Sequence, residues 1–474
     1  MAIKNKKILF NSIFEFTELY YQISKYLGEY GVDSFFLTSE KYAYKRLRKY
    51  GIPDEKIIDF SISIQELKKL NQNNSTKNID NYEKYGPSFS SIIMMSSRIY
   101  PQHLYKELYS YFNFICYNLE NFLIKNKINF IIAEPTNAPE ILTYSVAKKL
   151  GIKIGNIIPV RHPNNRIAIA KDIYESQIYN LEPNNENINK EDLYKWLNNF
   201  RKLGEEPIYM PSQKKSVPLY GLLKKIPRRL ILTFIEILGK NELNYTSFKS
   251  QSKPYLRKYL TKRKHNKYFN GIEFVNDNRK YATYFLHVQP ERTVDVISPY
   301  YSNQLEVIKS LRRALPSHIK LVVKEHPSFF GVQDKDFYRL LSKIPDVSLI
   351  DSRYNTQNII KNSVFISTIS GTVAMEASFL KIPSIIFSNV FFKLLPNIYK
   401  PNNYTELEDI VAKILNQEYK IDEYYDKKII TYLNYIYKNS QESTWDGTGG
   451  FKDTKTIDDL VTLLIRWMNY DDKS

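Results

Sequence analysis

Short apolar runs and helical spacings alternate along two separate stretches of this chain. In the first, Lys7–Phe10 predicts a strand, Leu19–Tyr30 a helix closed by Gly31, and Ser34–Leu37 a second strand. Residues 61–95 are polar and rich in Asn and Ser, and they read as a surface excursion. Helical spacing returns over Leu104–Lys125, and Asn129–Ala133 then predicts a buried strand. A loop from Glu134 to Pro139 leads into a helix through Lys149 that ends at Gly151, and Lys153–Ile158 predicts the next strand. Strand–helix–strand order of this kind builds a parallel sheet covered by helices.

The second stretch repeats that grammar. Strands are predicted at Tyr284–Val288, Lys320–Lys324, Val347–Ile350, Val364–Ser367 and Ser384–Phe387. Between them, helices are predicted over Asn303–Ala314, Asp336–Ile344, Thr356–Lys361 and Val373–Leu380. Residues 206–280 break the alternation, with prolines at 211, 218, 227 and 254. The organisation expected is a first α/β lobe over 1–205, a basic and partly helical insert over 206–280, a second α/β lobe over 281–430, and C-terminal helices over 431–474 that pack back on the first lobe. Both lobes are expected to be Rossmann-type and doubly wound, with a cleft between them. Ligands in such sheets bind beyond the C-terminal ends of the strands.

Composition adds limits. Of 474 residues, 43% are hydrophobic and 25% charged, enough for a core in each lobe. The single cysteine, Cys116, excludes an intrachain disulfide and a cysteine metal cluster, and it suits a reducing compartment. The N-terminus is basic and briefly apolar like a secretion signal, but Asn11, Ser12, Glu15 and Glu18 break it, so a first strand is the better reading. No run approaches the roughly 20 apolar residues of a membrane span. A cytoplasmic protein is expected.

The net charge of +18 is uneven. Between Lys214 and Lys267 fifteen basic side chains stand against Glu236 and Glu242, a local excess of +13. Within that segment Leu222–Lys240 has an apolar body with cations crowded at its start. That pattern fits an interfacial helix on anionic lipid, peripheral at the inner face of the cell membrane, and equally an amphipathic helix packed on its own domain. No nucleic-acid module is present to make the basic stripe a nucleic-acid site.

Three loops at predicted strand ends carry the candidate chemistry. Lys324-Glu-His-Pro327 follows a strand directly, and Pro327 restricts the backbone so that His326 projects in a set direction towards a phosphate oxygen. Ser367-Thr-Ile-Ser-Gly-Thr372 lies between a strand and a helix, where Ser367, Ser370, Gly371 and Thr372 supply hydroxyls, backbone N–H groups and a helix N-terminus to a phosphate. Alone, the first reads as a surface turn and the second as a helix cap; their pairing in one lobe points to phosphate. Glu376, one turn further in, could accept from ribose hydroxyls. The third loop, His287-Val-Gln-Pro-Glu-Arg-Thr293, offers Thr293 as a phosphate donor and Arg292 as a charge partner, with Glu291 either in the site or structural. Asp334-Lys-Asp336 spells a metal-binding DxD, but it precedes a helix and N-capping explains it better. No metal is predicted.

These runs in this order, HVQPERT, KEHP and STISGTVAMEASFLKIPSIIF, resemble the capsule polysaccharide biosynthesis family over roughly residues 281–415, a family that includes bacterial Kdo transferases and is related in architecture to GT-B-fold bacterial sialyltransferases. The resemblance implies a GT-B fold, an activated-sugar donor that is commonly a CMP-sugar, and inverting transfer without an essential metal or other cofactor. It places the family's His-Pro motif on His326 and Pro327, its Ser/Thr-rich loop on Ser367, Ser370, Gly371 and Thr372, and its Gln-Pro-Glu motif on Gln289, Pro290 and Glu291. Such a transferase needs a base for the acceptor hydroxyl, usually from the first, acceptor-side lobe. Glu134 is the preferred candidate, with Glu15 and Glu18 as rivals. Arg161 and His162, after the strand ending at Ile158, are candidates for a substrate carboxylate or simply a solvated loop pair. The acceptor implied is a glycan or lipid-linked glycan. Two other readings stay open: a CDP-polyol phosphotransferase of teichoic-acid type, and a non-catalytic binding protein of the same fold.

Overall fold

The computed structural model describes residues 3–70, 80–97, 99–182, 189–205, 268–269, 279–326, 335–418 and 421–470. Pro327, Asp334 and almost all of the basic insert, including Leu222–Lys240, lie outside the described residues. The rest divides into two compact units. The first joins the described residues up to 182 with those from 438 onwards, and the second joins 189–205 with those from 268 to 437.

In the first unit β1 (Lys7–Asn11) lies in the middle of a sheet and pairs in parallel with β2 (Asp33–Thr38) and β4 (Phe130–Ile132). Ile8, Leu9 and Phe10 are all buried, as a strand covered on both faces requires. The chain runs outward through β2 to β3 (Ile57–Asp59), then returns to β4 and continues to β5 (Lys153–Pro159) on the other side. The switch point of the sheet therefore lies between β1 and β4. Beyond β5 the sheet is not doubly wound. β6 (Arg166–Ala170) folds back antiparallel on β5, and a two-residue strand at Gln441–Glu442 pairs antiparallel with β6. Gly155 permits the close approach of β5 and β6, since a Cβ there would lie 2.3 Å from Ile169 Cγ2.

The helix Thr454–Asn469 packs on this sheet. Its Trp467 is fully buried against Phe130 and Tyr179, with ring centroids 5.4 and 5.6 Å away. Lys153 Nζ ties down the end of that helix by donating to the carbonyls of Trp467 (2.8 Å) and Tyr470 (2.7 Å). The stretch 61–95 is no mere surface excursion. It holds helices at Ile64–Leu70, Asp80–Glu83 and Phe89–Met95, and Tyr82, Phe89, Ile92, Ile93 and Met95 are buried. Its few apolar residues fall at helical spacing and pack on the long helix Tyr105–Asn126, where Phe89 meets Phe112 edge-on at 5.6 Å. Cys116 is buried in that same helix, and burial pushes its thiol up, as befits a structural thiol.

The second unit is a sheet of six parallel strands, β7 (Tyr281–Phe285), β8 (Lys320–Lys324), β9 (Val347–Ile350), β10 (Ser363–Thr368), β11 (Ser384–Ile386) and β12 (Ile398–Tyr399), in the order β12-β11-β10-β7-β8-β9. Its switch point lies between β7 and β10. β7 starts and ends three residues earlier than its apolar run suggests, which leaves His287 and Val288 in the loop beyond the sheet. The helix Lys190–Leu203 belongs here although it precedes the expected boundary at 205. Trp196 and Phe200 pack on Phe379 with centroids 5.4 and 5.2 Å away, and Arg201 grips Asp426 through both guanidinium arms (2.9 and 2.6 Å). The helix Tyr425–Lys438 also stays with this unit up to residue 437, beyond the boundary expected at 430. Both units are thus Rossmann-like α/β layers, each with one sheet and one switch point.

Candidate functional site

β7, β8 and β10 are neighbours, so the loops that leave their C-terminal ends emerge side by side at the second unit's switch point. His287, two residues past β7, is buried. Its backbone is clamped by Gln304, which accepts from the His287 N–H (2.9 Å) and donates to the His287 carbonyl (3.1 Å). Its ring reaches the β10 loop. Nε2 accepts from the Ser370 N–H at 3.2 Å and lies 2.8 Å from Thr368 Oγ1. Burial, and then the neighbouring His326, push this imidazole down to about 3, so it is neutral over the ordinary pH range.

The β10 loop is further fixed from within. Gly371 has no room for a side chain, because a Cβ would lie 2.6 Å from Thr368 Oγ1. The Ser370 hydroxyl donates to the Thr293 carbonyl (2.8 Å) instead of pointing freely outward. Thr293 in turn donates its hydroxyl to Glu291 (2.9 Å). Gln289 is held inside its own loop, donating to Asp295 (3.2 Å) and the Ser302 carbonyl (2.7 Å), next to a cis Gln289–Pro290 peptide. Arg292 opens the four-residue helix Arg292–Asp295 and is partly buried.

Thr372 begins the helix Val373–Phe379 without a side-chain cap bond, contrary to simple N-capping. That helix has seven residues, so its dipole is shorter than the sequence pattern suggests. Gly371, Thr372 and Glu376 are partly exposed, while Ser367 is fully buried and its hydroxyl has no hydrogen-bond partner among the described residues. His326, two residues past β8, is partly buried, and burial followed by Lys324 pushes its ring down to about 4. Lys324 itself is buried, with Nζ donating to the Ser352 carbonyl at 3.0 Å beside β9. Between them Glu325 is buried, accepts from the Tyr338 hydroxyl (2.8 Å), and is pushed up to about 7 by burial.

Direct bonds thus link His287, Thr368, Ser370, Thr293 and Glu291, and His326 lies near enough to His287 to bear on its ionisation. Of the predicted phosphate donors, Ser370 and Thr293 give their hydroxyl protons to groups within the protein, and Lys324 turns to a backbone carbonyl. His326, Arg292 and Thr372 are each only partly buried.

In the first unit the candidates line the C-terminal edge of the sheet. Glu134 lies two residues past β4 and is partly buried; burial, and then the nearby Glu134, push the Tyr20 hydroxyl up. Its loop is anchored by a capping box, in which Asn137 N–H donates to Glu140 (2.9 Å), and by Tyr144, which donates to the Ala133 carbonyl (2.9 Å). Glu18 is paired with Arg46. Glu15 is exposed at the start of the helix Phe16–Glu29, and its carbonyl accepts from Gly450 (2.7 Å). Arg161 and His162 lie in the β5–β6 hairpin, and His162 is buried beside a cis bond to Pro163. Sequence reasoning missed His287 as an anchor, Gln304 as its clamp, and the buried side chains of Asn11 at the end of β1 and of Ser12 and Thr17 after it, whose side-chain polar atoms have no partner among the described residues. A polar run ending an apolar strand was the available signal.

Among the described residues no three His, Cys, Asp or Glu side chains could hold a metal ion, and no helix is long and apolar enough to cross a membrane.

Residues 240–395 match the model of the capsule polysaccharide biosynthesis protein family, the family that the sequence resembles. No curated protein matches the chain. Similar solved structures include a Staphylococcus aureus MnaA–UDP co-structure (11% identity, 99% of this chain and 98% of that one, TM-score 0.30). A Methanocaldococcus jannaschii UDP-GlcNAc 2-epimerase with UDP-GlcNAc and UDP shares 13% identity over 97% of this chain and 99% of that one, with a TM-score of 0.30. The Thermosulfurimonas dismutans KpsC, a beta Kdo 2,7 transferase, shares 12% identity over 80% of this chain and 88% of that one, also with a TM-score of 0.30. Overlaps this loose assign neither a substrate nor a catalytic residue to this chain.

Proposed function

We propose, starting from a segment that carries the capsule polysaccharide biosynthesis motifs, that this protein is a metal-independent, inverting glycosyltransferase of GT-B type. Its donor is a nucleotide-activated sugar, a CMP-linked Kdo or other nonulosonic acid, and its product belongs to a capsule or surface polysaccharide. The observation that carries the reading is the hydroxyl-rich β10 loop, bonded to His287 with His326 at the adjoining strand end. A neutral His326 and a rigid loop offer hydrogen-bond donors to a phosphate while leaving little charge buried when the nucleotide departs.

In this reading His326, Thr372 and the loop's N–H groups receive the donor phosphate, Arg292 balances its charge, and Glu376 takes the ribose hydroxyls. Glu134 takes the proton of the acceptor hydroxyl as that oxygen attacks the anomeric carbon. The bond to the nucleotide phosphate breaks on the opposite side, and CMP leaves with its charge held by the same donors. Arg161 and His162 serve a substrate carboxylate. The acceptor is a glycan or lipid-linked glycan, reached at the inner face of the membrane.

A thermal-shift series with CMP, CDP, UDP and GDP tests the nucleotide. A ligand that binds only the folded state raises stability by RT ln(1 + [L]/Kd), about 2.7 kcal/mol at a hundredfold excess over Kd. CMP should stabilise without divalent metal. Stabilisation by UDP or GDP and not by CMP would overturn the CMP-sugar assignment, and product analysis with a CDP-polyol donor separates polyol-phosphate transfer from glycosyl transfer.

A further inference from the structure

The β10 loop has an anchor that is distinct from the groups reaching solvent. The Ser370 N–H donates to His287 Nε2 at 3.2 Å, and a nitrogen that accepts an amide proton carries none of its own. The ring's single proton is therefore on Nδ1, and the Thr368 hydroxyl, 2.8 Å from the same Nε2, is also a donor to it. Gly371 follows from that geometry, because the anchored Thr368 Oγ1 occupies the space its Cβ would need. Gln304 holds the His287 backbone at both its N–H and its carbonyl, which fixes the point from which the ring projects.

We propose that His287 is a positioning residue: through Nε2 it holds the Thr368–Thr372 loop in the one orientation that presents its remaining N–H groups and hydroxyls to a donor phosphate, without touching that phosphate itself. This deepens the nucleotide-binding reading and rests on it. The ring needs an acceptor at Nε2 and needs no positive charge, so a neutral acceptor of similar reach should replace it. Ser370 and Thr368 are the groups left without a partner when the acceptor is lost.

The test compares His287→Gln, whose amide oxygen reaches about as far as Nε2, with His287→Phe, which keeps the ring's bulk and removes the acceptor. CMP affinity is measured by calorimetry alongside unfolding of each variant. His287→Phe should weaken CMP binding about tenfold or more, and His287→Gln should stay within about threefold of the unsubstituted protein. A His287→Phe protein that folds and binds CMP normally would overturn the proposal, as would an equal loss in both variants. Two-dimensional 15N spectra of the unsubstituted protein decide the matter independently of any variant's folding. They should show a bare Nε2, a protonated Nδ1 and slow exchange of the Ser370 amide, whereas a protonated Nε2 refutes the anchor. If the unsubstituted protein binds no nucleotide, the functional reading fails, and the spectra alone still uphold or refute the anchor.

Discussion

A histidine that serves a phosphate and a carboxylate that takes a proton make opposite demands on their surroundings. His326 is pushed down to about 4, so it meets a ligand as a neutral ring, and an arriving phosphate would favour its charged form. His326→Ala should weaken donor use roughly tenfold or more with little change in stability, since a hydrogen bond to a charged group is worth about 1.5–3 kcal/mol. Unchanged kinetics in a folded variant would remove His326 from the site. The loop that carries Glu134 is braced by the Asn137–Glu140 and Tyr144–Ala133 hydrogen bonds. Glu134→Gln should keep donor affinity and lower turnover by about 10²–10⁴-fold, the usual worth of a general base. Near-normal turnover would send the role to Glu15 or Glu18. Glu325 gives a prediction in pH. Its folded value is raised to about 7, so its preference for the protonated form contributes stability that is fully present below the unfolded value near 4.5 and is lost as pH rises through about 7. Glu325→Gln should therefore gain on the parent protein between pH 4.5 and 7.5, by roughly 3 kcal/mol at most. Denaturant unfolding across that range checks it, and a difference that does not vary with pH would contradict the assignment.

At the scale of single elements, the β10 loop and the C-terminal helix carry the most weight. The sequence showed the loop's donors and its place after a strand, but not that Ser370 and Thr293 turn their hydroxyls inward. Those bonds join residues 77 and 2 positions apart, and only the first depends on strand order. Gly371→Ala should disturb the loop, because its Cβ cannot coexist with Thr368 Oγ1 at 2.6 Å. The expected result is weaker nucleotide binding with a modest stability loss, read by calorimetry and unfolding together; full affinity in that variant would show that the loop adjusts without cost. The helix Thr454–Asn469, one of the C-terminal helices expected to pack back on the first lobe, lies in the first unit. Trp467→Ala should cost about 3–5 kcal/mol, the range for emptying a large aromatic site, and unfolding of the first unit should report it. The periodicity of 61–95 was legible in principle, but Asn- and Ser-rich surroundings obscured three helices whose apolar positions are few and well placed.

For the whole molecule, charge is the property that the local elements do not explain. The +18 excess is concentrated between Lys214 and Lys267, beside the apolar body of Leu222–Lys240. A protein built this way should bind anionic vesicles at low salt and release them at high salt, since the Debye length shrinks from about 30 Å at 0.01 M to about 3 Å at 1 M. Sedimentation with phosphatidylserine-containing and purely zwitterionic liposomes is the measurement. Equal binding to both would mean that the basic segment serves something other than a membrane. The same segment separates the two α/β stretches in sequence, but it does not mark the boundary between units. The helix Lys190–Leu203 joins the second unit through Trp196, Phe200 and Arg201, and the chain returns to the first unit at residue 438.

The alternation of strands and helices, the two α/β layers and the loops proposed for a phosphate were all readable from the sequence. Each depends on side chains a few positions apart, where periodicity and turn residues act directly. Tertiary structure decided the rest. β6 packs closely on β5 where Gly155 leaves room for Ile169, and an amphipathic helix attaches to whichever unit buries its apolar face. His287 becomes an anchor because a parallel sheet brings it against Ser370, 83 residues away. A motif names the groups that could act; which of their protons and lone pairs remain free depends on partners that only the folded chain brings within reach.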